Sequence, residues 1–197
     1  MRIGIFGGSF NPPHKGHRLA ARAFCRQAEL DRLLVIPAGT PPHKALESAC
    51  TGAQRLAMAR LNFRGMPCPV TVSDMEIQRQ GKSYTVETLR QLKAQYPNDS
   101  LFLYCGSDML LSFDTWFCYR EILSLCTLCV MRREDQPAWE EKLKEIASAS
   151  PTPLRILEGQ PLVESSTNVR TQLRQGLKPQ GLCAAVAAYI QKEGLYR

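Results

Sequence analysis

Apolar residues in this chain gather into short runs separated by stretches of helical spacing. Arg2–Phe6, Arg32–Ile36, Val70–Val72, Ser100–Cys105, Leu125–Met131 and Arg155–Leu157 read as strands, most of them bounded by Gly, Pro or polar clusters. Between them the apolar positions recur with the period of a helix. Over Gly16–Ala28, for instance, Leu19, Ala20, Ala23 and Phe24 share one face. Further helices are expected over Thr51–Leu61, Thr85–Gln95, Pro137–Ser148, Asn168–Gln175 and Leu182–Glu193. Strands alternating with helices of this length need right-handed crossovers, which build an α/β fold with an open, mostly parallel sheet and helices on both faces. No linker, repeat or low-complexity tract interrupts the pattern, so one domain over residues 1–197 is the simplest organisation.

Sheets of this kind bind ligands beyond the carboxyl ends of their strands. The loops after Phe6, Ile36 and Cys105 are therefore expected on one rim. Composition narrows the ligand class: hydrophobic residues make up 44% and charged residues 22%, as in an ordinary globular chain with a real core. No apolar run is long enough to span a membrane, and the first strand is too short for a signal-peptide core, so a cytoplasmic protein with no membrane partner is expected. The net charge of +7 is spread without a basic block. That distribution argues against a nucleic-acid partner and suits a protein that holds polyanionic small molecules. Of eight cysteines only Cys126 and Cys129 are close in sequence, and no second pair or nearby His completes a zinc site. Buried, reduced thiols and no protein-held metal are the expectation.

The segment Gly7-Gly8-Ser9-Phe10-Asn11-Pro12-Pro13-His14-Lys15-Gly16-His17 concentrates the chemistry. It follows the first strand and opens the first helix. Glycines permit a tight turn and close backbone approach to a ligand. The helix start adds unpaired N–H groups and partial positive charge, which attract an anion. His14 and His17 should project from one side of that first turn and can donate to phosphate oxygens. Familiar phosphate loops do not fit. Gly81-Lys82-Ser83 ends like a Walker motif, but Glu76 stands where its first glycine belongs, and the offsets from Gly4 to Phe6 and Ser9 miss the dinucleotide fingerprint. A second constellation, Ser165-Ser166-Thr167-Asn168-Val169-Arg170, places hydroxyls at a helix start with an arginine one turn on. Arginine can fork onto a polyphosphate where lysine is only a point charge.

These two segments resemble the G-G-[ST]-F…H-x-G-H and S-S-T-x-[IV]-R signatures of the nucleotidyltransferase superfamily. Pro41-Pro42-His43-Lys44, Ser83-Tyr84-Thr85-Val86-Glu87-Thr88-Leu89, Gly106-Ser107-Asp108 with Trp116, and the stretch from Ala188 to Tyr196 resemble the nicotinate-nucleotide adenylyltransferases within it. The resemblance runs the whole chain in order. It implies a Rossmann-like fold and transfer of AMP from ATP to nicotinate mononucleotide, with Mg²⁺ entering on ATP. It further implies catalytic roles for His14, His17 and Arg170, and ATP contacts from Gly7, Gly8, Ser9, Phe10, Gly106, Asp108, Ser166 and Thr167. Lys44, Tyr84, Thr85 and Trp116 would bind the acceptor. Three departures stand out: Asn11 where Asp is common, Pro13 for Ile, and Glu164 for an apolar residue. Glu164 would repel a phosphate if it points inward. A sister transferase acting on phosphopantetheine or another phosphate acceptor, a non-catalytic nucleotide sensor and a nucleic-acid binder remain as alternatives. The choice between acid and amide acceptor, and any homo-oligomer, stay open at this level.

Overall fold

The computed structural model describes residues 1–41, 50–132, 137–159 and 164–197. In chain order it comprises β1 (Arg2–Gly8), α1 (Lys15–Gln27), β2 (Arg32–Pro37), α2 (Gly52–Asn62), β3 (Val70–Val72), α3 (Thr85–Gln95) and β4 (Ser100–Gly106). There follow α4 (Ser107–Leu110), a 3-10 turn at Phe113–Thr115, α5 (Tyr119–Leu125), β5 (Thr127–Met131), α6 (Pro137–Ala149), β6 (Arg155–Leu157), α7 (Ser166–Arg174) and α8 (Ala184–Glu193). The strands form one six-stranded sheet in the order β3-β2-β1-β4-β5-β6. Every pairing between them is parallel. From β1 the chain winds outward to β3, then returns to the other side of β1 for β4. This reversal opens a crevice beyond the carboxyl ends of β1 and β4. Register sets Gly8 beside Pro37 and Gly106 beside Met131, so the expected rim is continuous.

Strand alternation buries both faces of the sheet. Ile3, Ile5, Leu34, Ile36, Leu101, Leu103, Leu128 and Val130 pack against α3, α5 and α6 on one side. Phe6, Leu33, Val35, Phe102, Cys129 and Met131 meet α1 and α2 on the other. Gly4 is dictated by this packing, because a Cβ there would collide with Leu30 and Phe24. A third cluster joins Met58 of α2 and Val169 of α7 to Val186 and Ile190 of α8 and to Leu195 and Tyr196 beyond it.

Two helix starts differ from the sequence reading for reasons of capping. Thr51 lies outside α2 as its cap: Gln54 N–H donates to Thr51 Oγ1 at 3.2 Å and Thr51 N–H donates to Gln54 Oε1 at 2.9 Å. In α7 the cap is Ser165, whose Oγ accepts from Asn168 N–H at 3.0 Å, so the helix begins at Ser166 rather than Asn168. The stretch 107–124 carries no element in the sequence reading. Its helices are too short to show a period, and Leu125 closes α5 instead of opening β5.

All eight cysteines are free thiols. Cys126 and Cys129 lie in the clusters on opposite faces of the sheet, as their odd spacing beside a strand requires. Burial raises the Cys126 thiol and pushes Cys129 up to about 12, so both stay protonated. The close pair in space is a different one: Cys68 donates to Cys25 Sγ at 3.0 Å. Among the described residues no helix is long and apolar enough to cross a membrane.

Candidate active site

β1 ends at Gly7 and Gly8, and the chain turns through Ser9–His14 into α1. Phe10 anchors this turn at a positive φ of 47°. Its ring is buried against Phe6 and Phe63 and meets the His17 ring edge-on at 5.2 Å. The side chain therefore supports the loop from below and is absent from the crevice wall among the described residues. Around the turn, main-chain carbonyls are held from the protein side. Arg55 Nη1 donates to Ser9 O at 2.9 Å, Arg170 Nη1 to Asn11 O at 2.8 Å, and Ser166 Oγ to Pro12 O at 2.9 Å. Asn62 Nδ2 donates to His14 O at 3.3 Å, and Ala38 N–H to Gly8 O at 2.8 Å. A trans peptide points its N–H opposite its C=O, so these anchors turn the Ser9 and Phe10 N–H groups away from Ala38 and Arg55. Pro12 and Pro13 have no N–H to satisfy.

His14 is the N-cap of α1 and is buried. Its N–H donates to His17 Nδ1 at 3.2 Å, and the two rings lie 3.7 Å apart between centroids. A neutral His17 that accepts at Nδ1 carries its proton on Nε2, which makes Nε2 the donor. Both imidazoles line the larger lobe of the crevice, a space of about 630 Å³. Ser166, Thr167 and Arg170 form another part of its wall, with Gly106 and Asp108 at and beyond the carboxyl end of β4. Arg170 is buried, and its Nη2 donates to Thr167 Oγ1 at 3.2 Å. Glu164 lies on the same wall, but its Oε1 is tied to the start of α7, accepting from Ser165 N–H at 3.1 Å and Asn168 Nδ2 at 3.0 Å. A Cβ at Gly7 would meet no heavy atom within 4 Å; the space beside it belongs to the crevice.

The smaller lobe, of about 220 Å³, is lined by Tyr84 and Thr85 at the start of α3, by Ser83 and Thr88, and by Glu76. Trp116, tilted against Phe113 with ring centroids 5.0 Å apart, borders both lobes, as do Gly7, Gly8, Ser9, Tyr104 and Met109. The lobes are thus two ends of one crevice that meet over the Gly-Gly turn. Lys44 lies outside the described residues.

Glu76 Oε1 accepts from Thr88 Oγ1 at 2.7 Å, and burial raises its carboxyl above the ordinary value despite nearby Arg79 and Arg55. A raised folded pKa means that ionisation works against folding: the protonated form is favoured at low pH, and stability falls as pH rises through the folded value. Glu76→Gln, which keeps the acceptor for Thr88, is therefore expected to match the parent's melting temperature near pH 4 and exceed it near pH 8. A lower melting temperature for the variant at pH 8 would refute this reading.

Sequence reasoning did not pick out Arg55, Tyr104, Met109 or Glu76. Arg55 left a trace, because with Ala59 and Asn62 it occupies buried helical positions in α2, where a polar residue signals a partner. Tyr104 and Met109 look like ordinary core residues until β4 and α4 place them at the crevice.

Comparison with known proteins gives the family. The cytidylyltransferase-like family model matches residues 5–172. A Synechococcus protein (strain JA-2-3B'a(2-13)) curated as "Probable nicotinate-nucleotide adenylyltransferase" is 38% identical over 199 residues, covering 99% of this chain and 96% of that relative. One of the same name from Citrifermentans bemidjiense is 37% identical over 213 residues, covering 100% of this chain and 98% of the relative. The chain belongs to the nicotinate-nucleotide adenylyltransferase family. The Plasmodium falciparum nicotinic acid mononucleotide adenylyltransferase complexed with NaAD shares the fold, with a TM-score of 0.78 at 17% identity over 99% of this chain and 97% of that one. Within this adenylyltransferase, the family-model match takes in His14 and His17, the Tyr84–Thr85 start, the Gly106–Trp116 segment and Arg170. The turn at Leu195–Tyr196 lies beyond that match but within the full-length alignment to the Citrifermentans relative.

Proposed function

We propose that this enzyme transfers AMP from Mg·ATP to nicotinate mononucleotide, yielding nicotinate adenine dinucleotide and pyrophosphate, a step of cytoplasmic NAD biosynthesis. The observation that supports the reading is the two-lobed crevice, whose lobes share Gly7–Ser9 and Trp116, with His14, His17, Ser166, Thr167 and Arg170 lining the larger and Tyr84 and Thr85 the smaller. A 5′-phosphate oxygen of the mononucleotide attacks the α-phosphorus of ATP, and the bond to the bridging oxygen of pyrophosphate breaks. The nucleophile is ionised at neutral pH, so the step requires no side-chain base. Catalysis is then positioning and charge stabilisation.

In this scheme His17 Nε2–H and His14 serve the α- and β-phosphate oxygens. Arg170 and the start of α7, with Ser166 and Thr167, serve the β,γ end. Ser166 Oγ is engaged with Pro12 O, so its main-chain N–H, unpaired within the helix at that position, is the better phosphate donor. Gly8 and Ser9 hold phosphate from the backbone, and Asp108, exposed at the rim, accepts from ribose hydroxyls. Trp116 stacks on the flat, electron-poor pyridine ring. Tyr84 and Thr85 bind the other edge of the acceptor, and Lys44 its phosphate. Among the described residues no group of three or more His, Cys, Asp or Glu is arranged to hold a metal; Mg²⁺ enters as part of the nucleotide substrate.

The deciding test is pyrophosphate release from Mg·ATP with nicotinate mononucleotide, nicotinamide mononucleotide or phosphopantetheine, assayed in parallel. Nicotinate mononucleotide is expected to be preferred by at least tenfold in kcat/KM, which is about 1.4 kcal/mol at the transition state. A preference for either of the others would discard the acceptor assignment.

A further inference from the structure

Tyr196 sits in the turn after α8, far in sequence from the phosphate-binding loop, at a positive φ of 62° that follows the left-handed Gly194. Its ring is only 3% exposed and packs with Val169, Val186 and Ile190. Its hydroxyl donates to Asn11 Oδ1 at 2.7 Å. Cys50 Sγ donates to the same oxygen at 3.0 Å and lies 3.2 Å from the Tyr196 hydroxyl. Burial raises the pKa of both groups, so each keeps its proton across the working pH range. The main-chain oxygen of Asn11, meanwhile, accepts from Arg170. Asn11 is therefore gripped at its side chain from the α8 side and at its backbone from α7.

We propose that Tyr196 is a positioning residue for the phosphate clamp: by fixing Asn11 it sets the carbonyl against which the Arg170 guanidinium is oriented. The inference rests on the clamp reading given above. The apolar cluster is enough to dock the ring, which leaves the hydroxyl free for a different task. Asn11 also contributes to the wall of the larger lobe and not to that of the smaller, so loosening it should be felt by ATP and not by the acceptor.

Tyr196→Phe, which retains the buried ring, is expected to weaken binding of Mg²⁺ with a non-hydrolysable ATP analogue several-fold in titration calorimetry. Turnover should fall about tenfold, with the acceptor KM within twofold of the parent. Asn11→Ala leaves the ring in place and removes the side-chain amide that accepts from Tyr196, so it carries the same expectation should Tyr196→Phe prove too unstable to assay. The double variant should lose no more than the worse single one, because both break the same bond. Parental analogue affinity and turnover in a folded single variant, or losses that multiply in the double, would overturn the proposal. Analogue binding uses no acceptor. A wild-type chain that binds the analogue but is silent with nicotinate mononucleotide would instead count against the proposed reaction, and the two failures are distinct.

Discussion

His17→Asn is expected to lower turnover ten- to a hundredfold while leaving the melting temperature nearly unmoved. The side-chain oxygen of asparagine can take the place of His17 Nδ1 as acceptor for the His14 N–H, the contact seen at 3.2 Å. What the variant cannot supply is a donor where Nε2–H reaches the larger lobe. Losing one charge-assisted hydrogen bond at the transition state is worth roughly 1.5–3 kcal/mol, which sets the range of the rate loss. His17→Ala removes both functions at once. It should match the asparagine variant in turnover and in addition melt earlier, since a lost helix cap costs about 1 kcal/mol, or some 2–4 °C in a chain of this size. Steady-state pyrophosphate release and thermal melts on both variants separate the two roles. Unchanged kcat/KM in folded His17→Asn would remove His17 from the clamp.

Arg170→Lys should be nearly as damaging, and for a reason the sequence alone does not give. The guanidinium is built into the fold: one nitrogen donates to Asn11 O at 2.8 Å and another to Thr167 Oγ1 at 3.2 Å. Lysine keeps the charge but is a single point donor on a flexible stem, so it cannot reproduce this fork. Leaving Asn11 O unsatisfied costs about 1–3 kcal/mol of stability. The expected phenotype is therefore double: a lower melting temperature, and kcat/KM for Mg·ATP reduced by at least tenfold with most of the loss in KM. Arg170→Met should lose the same stability and still more activity. A lysine variant with parental stability and parental ATP kinetics would show that neither contact matters.

The sheet was legible because near-continuous apolar runs such as Arg32–Ile36 are what strands buried on both faces require, and all six expected strands are present. The glycine turn and the histidine pair were legible because few sequences place such residues between a strand and a helix. Other features depend on distant parts of the chain. Nothing local says that Arg55 will reach the Ser9 carbonyl, or that the side chain of Phe10 will sink beneath the loop and leave the backbone to face the ligand. The concern over Glu164 likewise needed the fold: the residue does line the larger lobe, but with one carboxylate oxygen bound to the start of α7.

The wall shared by the two lobes has a consequence for inhibition. Gly7, Gly8, Ser9, Tyr104, Met109 and Trp116 border both. Two fragments, one suited to each end, can therefore be tethered through a short bridge laid over the glycines. The second fragment then binds from an effective concentration in the millimolar range instead of from bulk solution. Linkage also spares one loss of translational freedom. Because Gly7 carries no side chain, the bridge can lie against the backbone there, and any residue larger than glycine at that position would select against the tethered compound and the natural substrates together.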